Sequence, residues 1–185
     1  ASTMTSSLIR LYPTLASPRR ALTFTALAGV LFWFLARGLG NLPPGAPTIF
    51  DLQLAFTAEK FQAVLAAWGE QNVRAYINGM WLDFLYPIAY ALALSSWLAV
   101  LTHRPDRPPA RLTLSLFAAP FLAALLDYVE NTLHLLMLAI LHTTPPALVL
   151  LASLAAAVKW TLAGLSILAI IYQARTATST NFTAP

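Results

Sequence analysis

Four long apolar runs constrain this chain more than any other feature. They lie at about 21–36, 77–101, 112–141 and 147–172. A helix needs roughly 20 mostly apolar residues, at about 1.5 Å of rise each, to cross a bilayer. The length allows one compact domain, with no room for a second. Only 10% of the residues are charged, against roughly a quarter in soluble domains. That balance excludes a disordered chain and argues against an ordinary soluble enzyme. With no Cys there is no disulfide framework.

The breaks are written in Pro and Gly. Gly38–Pro47 (GLGNLPPGAP), His103–Arg111 (HRPDRPPAR) and His142–Pro146 (HTTPP) cannot continue a helix. The first run has no small-residue cleavage site after it, so it is expected to stay in the protein as a span. The expected fold is therefore all-α: a polytopic membrane protein with four transmembrane helices in an antiparallel bundle. Residues 21–174 form its single domain. A segment at 1–20 precedes it and a polar, Thr-rich tail at 175–185 follows.

Basic residues orient such a chain. Arg10, Arg19, Arg20, Arg104, Arg107, Arg111 and Arg175 fall on one side if there are four spans. Arg37, Lys60 and Arg74, offset by Asp51, Glu59 and Glu70, fall on the other. Both termini are expected to be cytoplasmic, in a bacterial inner membrane. The net charge of +4 is then topological. No basic stripe with interleaved aromatics points to nucleic acid.

Between spans one and two, Phe61, Val64, Leu65 and Trp68 recur at i, i+3, i+4 and i+7. Thr57 can cap this helix and Gly69 can end it. An amphipathic helix lying in the outer membrane interface over 57–69 is expected, with folding back over the bundle as the alternative.

Charge sits where charge is expensive. Asp127, Glu130, Asn131 and His134 share one face of span three, at i, i+3, i+4 and i+7. Asp83, Tyr86 and Tyr90 share one face of span two, and Lys159 lies in span four. Taking the spans' outer ends at about 77, 141 and 147, Asp83 and His134 lie roughly 10 Å deep, and Asp127 and Lys159 roughly 20 Å. This layering pairs Asp83 with His134 and Asp127 with Lys159, with Glu130 and Asn131 between. A charge at mid-membrane costs about 3 kcal/mol on insertion scales, so these groups should face one another.

The cluster has two readings. It is a polar network that holds helices in register, or a site for proton handling, a cationic ligand or acid–base chemistry, with Asp83, Asp127, Glu130 and His134 as the acting groups. No metal centre is expected, because the paired Glu-x-x-His pattern of carboxylate-bridged bundles is absent. No cofactor is identified, although an axial pigment on His134 stays open. Phosphate loops and Ser/His/Asp arrangements are missing.

The stretches Leu82–Leu94 (LDFLYPIAYALAL) and Asp127–Asn131 (DYVEN), with Lys159, resemble a group of small uncharacterised bacterial four-helix integral membrane proteins. The likeness covers spans two to four and part of the outer segment, and it implies the architecture but no activity. The function expected from sequence is an accessory or assembly subunit in a larger membrane complex, with membrane protein partners and the lipid bilayer as its surroundings. The alternative is a membrane enzyme, binding protein or proton-coupled carrier for a lipophilic small molecule.

Overall fold

The computed structural model describes residues 3–38, 42 and 44–182. Residues 39–41 and 43 of the expected Gly38–Pro47 break lie outside the described residues, as do 1–2 and 183–185 of the terminal segments. The chain is all-helical, with α1 (Thr3–Leu15), α2 (Pro18–Gly38), α3 (Ile49–Gln53), α4 (Ala58–Thr102), α5 (Arg111–Leu135) and α6 (Pro146–Phe182). A π-helical turn, Leu136–Leu141, ends α5, and His142 stops it in a left-handed conformation. Four helices are long and apolar enough to cross a membrane: α2, α4, α5 with its π turn, and α6.

Helix α4 is the axis of the molecule and packs against α2, α5 and α6. Its contacts with α5 descend one helix as they climb the other: Ser95 meets Phe117, Phe84 meets Tyr128, Asp83 meets Asn131 and Tyr76 meets His134. Small residues permit the close approach of α5 to α6, with Ala123, Ala152, Ala155 and Ala156 all buried. Pro87 and Pro120 lie within continuous helix.

Helix α4 begins 19 residues before the expected start of span two. Thr57 caps it by accepting from Lys60 N–H at 3.3 Å. Gly69 then adopts φ 74°, ψ 162°, a region open essentially to glycine alone. The chain changes direction there, and helix resumes at once. Asn72 Nδ2 donates to the Trp68 carbonyl at 2.8 Å, which satisfies an acceptor that the break would otherwise orphan. An exposed Glu70–Arg74 ion pair at i, i+4 supports the restart.

The arm before Gly69 carries the amphipathic face, and that face is turned inward. Phe61 is 1% and Trp68 2% exposed, and both pack with Tyr76, Met80, Met137 and Val149. Glu59, Lys60 and Gln62 face out. The apolar stripe covers the end of the bundle.

Two short elements complete the packing. In α3, Thr48 and Asp51 form a reciprocal cap. The Thr48 hydroxyl, then its backbone N–H, donates to the Asp51 carboxylate and holds it below the usual range. Helix α1 falls in the segment that sequence reading left without structure. Leu8, Leu11, Tyr12 and Leu15 recur at i, i+3, i+4 and i+7, a signal legible in the sequence. Tyr12 and Leu15 are buried against Ala99 and Phe117, and Tyr12 Oη lies 2.8 Å from Thr102 Oγ1. Burial raises the Tyr12 phenol above its ordinary value.

Candidate functional site

The polar faces of α4, α5 and α6 meet inside the bundle. Lys159 on α6 reaches two carboxylates of α5, with Nζ 2.7 Å from Asp127 Oδ1 and 2.6 Å from Glu130 Oε2. Asp127 and Glu130 are i and i+3 on one face, so a single ammonium spans both. All three side chains are at most 5% exposed. Removing one partner of so buried a set strands the remaining charge, which costs about 3–5 kcal/mol in comparable cases.

Asn131 lies at the same level and donates from Nδ2 to the Asp83 backbone carbonyl at 3.1 Å. The Asp83 side chain stays partly accessible. Tyr86 and Tyr90 follow it along α4, with ring centroids 5.2 Å apart.

His134 does not meet Asp83. Its Nδ1 lies 2.8 Å from Tyr76 Oη, and its ring packs edge-on to Phe61 at 5.3 Å. Sequence reading paired it with Asp83 because span two was started at Ile77. The helix runs back to Gly69. Measured from there, Asp83 is about 20 Å from the helix end and Tyr76 about 10 Å. Those are the levels of Asp127 and His134 respectively. Tyr76 was missed for the same reason, although it lies seven residues before Asp83 on the same helical face.

A large cavity opens beside this cluster. Helix α2 packs chiefly on α4, while α6 packs on α5 and α4, so a space remains between α2 and α6. It is a half-open space of about 870 Å³. Its polar wall includes Tyr76, Asp83, Tyr86, Tyr90, Asp127 and Lys159. The rest is mostly apolar and aromatic, including Phe32, Leu35, Met80, Leu94, Trp160 and Ile167. Two hydrogen bonds hold its rim: Trp97 Nε1 donates to Thr25 Oγ1 and Trp160 Nε1 to Gln53 Oε1, each at 3.0 Å. Glycines 29 and 79 lie on its walls, and a Cβ at either would meet nothing within 4 Å.

No protein-family model, curated protein or solved structure matches the chain. The site must therefore be read from its own chemistry.

His134 and Glu130 do not line the cavity; they lie behind its wall, each 0% exposed. Of the four candidate acid–base groups, only Asp83 and Asp127 reach the cavity. Among the described residues no three His, Cys, Asp or Glu side chains are arranged to hold a metal ion. What the arrangement offers is an apolar chamber with one acidic, aromatic wall.

Proposed function

We propose that this is a multi-pass membrane protein that binds a lipophilic molecule in the cavity between α2, α4 and α6. The observation that carries this reading is the cavity itself. Its volume of about 870 Å³ falls within the roughly 300–1,000 Å³ of small-molecule sites. Its apolar walls with a few convergent polar groups have the composition such sites require. The space lies between two spans, so a ligand can reach it from the lipid. On this reading the four long helices form an antiparallel bundle in a bacterial cytoplasmic membrane, with both termini cytoplasmic. The arm at 58–68 covers its outer end.

The Lys159–Asp127–Glu130 set then has two roles. It fixes α5 against α6, and it adds Asp127 and Lys159 to the polar wall of the cavity. The reading as an accessory subunit has less support. The small residues of α6 that could have received a partner helix are buried within the chain itself.

Native mass spectrometry of the protein extracted in mild detergent tests this. One lipophilic molecule per chain is expected, and Gly79→Leu, which fills the cavity, should displace it. Stoichiometric partner proteins with no bound small molecule would overturn the reading in favour of a subunit.

A further inference from the structure

The ionisable groups at the cavity wall are not balanced in number, and the imbalance has a sign. Lys159 is the one cation that forms an ion pair with Asp127 or Glu130 among the described residues, and it is shared between them. One ammonium against two carboxylates leaves an acid surplus. Asp83 adds a second carboxyl group to the cavity wall, beside Asp127, and forms no ion pair among the described residues. Behind them, Glu130 Oε1 and Asn131 Oδ1 have no hydrogen-bond partner among the described residues, although both side chains are fully buried. An anionic head group would meet Asp83 and Asp127 here, with the Lys159 ammonium already engaged by Asp127 and Glu130. A cation would supply the missing counter-charge.

The aromatic groups fit the same conclusion. The Tyr86 ring lies 5.2 Å from that of Tyr90 and 6.1 Å from that of Phe32, and all three line the cavity beside Asp83. A carboxyl group on a wall that also carries aromatic rings is a combination that suits an ammonium, because a ring face attracts a cation through its quadrupole. Beyond this end, Leu35, Leu94, Ile167 and Ile170 continue the cavity as apolar surface.

We infer that the cavity takes a cationic amphiphile, its ammonium group held between Asp83 and the rings of Tyr86 and Tyr90, its apolar body lying between α2 and α6. This rests on the reading of the cavity as a binding site and adds the class of ligand.

Three probes with one twelve-carbon chain test it: dodecyltrimethylammonium, dodecanol and dodecyl sulfate. Each is titrated into the full chain in non-ionic maltoside micelles. The fluorescence of Trp97 and Trp160, both on the cavity wall, reports binding. The ammonium probe is expected to bind about tenfold more tightly than the alcohol, and the sulfate most weakly. Asp83→Asn should abolish the preference for the ammonium probe by weakening its binding about tenfold, to the level of the alcohol, while Asp83→Glu should retain it. If Asp83→Asn fails to fold, the ranking of the three probes on the unaltered chain decides. Equal binding of ammonium and alcohol overturns the ligand class while leaving the binding site standing. If no probe binds saturably, or if Gly79→Leu leaves binding of all three unchanged, the binding site itself is refuted.

Discussion

Tyr76 and His134 meet at 2.8 Å beneath the inward face of the arm at 58–68, with Phe61 closing over the imidazole. This contact fixes the register of α4 against α5 at the end of the bundle opposite the α1 contact. A buried polar atom stripped of its partner costs about 1–3 kcal/mol, whereas replacing both partners by apolar groups is close to neutral. Tyr76→Phe is therefore expected to lower the melting temperature by several degrees, and adding His134→Phe should restore part of the loss. Thermal unfolding of the two variants in detergent checks this. A double variant less stable than the single one would show that the pair does not act as a unit.

Lys159→Met should be the most damaging single change in the bundle. It leaves Asp127 and Glu130 buried without a cation, at a cost of about 3–5 kcal/mol. Combining it with Asp127→Asn and Glu130→Gln should recover much of that, because no net charge then remains to be buried. Yield and melting temperature of the single and triple variants are the measurements. Equal damage in both would mean that packing around the Lys159 stem matters more than the charge.

Gly69→Ala isolates a backbone effect. A Cβ there would meet nothing within 4 Å, but φ is 74° with ψ 162°. The cost is then conformational alone, about 1–3 kcal/mol. The covering arm should loosen before the bundle does. Hydrogen exchange is expected to accelerate over residues 58–68 and to stay slow over residues 83–99. Uniform acceleration along α4 would instead mean that the arm and the span unfold together.

Orientation is tested with single cysteines in a chain that has none of its own. Thr57 and Asp106 are both exposed, at opposite ends of α4. A cysteine at Thr57 should react with a membrane-impermeant maleimide on intact cells, and one at Asp106 only after lysis. The reverse pattern would invert the proposed topology.

Much of the architecture was legible because it follows from solvent. Runs too apolar for water and punctuated by Pro and Gly leave little freedom in the number and placement of long helices. The angular position of each polar group was legible too: Asp127 and Glu130 share a face through the 3.6-residue turn alone, and both meet Lys159. The helix at Thr3–Leu15 was also encoded, in Leu8, Leu11, Tyr12 and Leu15, but a short amphipathic pattern beside long spans is easily passed over.

The axial level of those groups was another matter. Spacing says which way a side chain points around a helix, but not how far one helix slides along its neighbour. That depends on where each helix begins, and for α4 the answer lies in the backbone at Gly69, which turns the chain without ending the helix. Starting the span at Ile77 placed Asp83 two turns too shallow and left Tyr76 outside. The cavity was hidden for a related reason: it is set by which pairs of helices pack closely and which do not. The sequence by itself determined four apolar helices and the polar faces they carry, because both follow from local pattern and from the cost of exposing the wrong atoms. Only the tertiary structure decided that His134 meets Tyr76, that Asp83 opens onto a chamber and that α2 stands apart from α6, because register and empty space arise when whole surfaces pack.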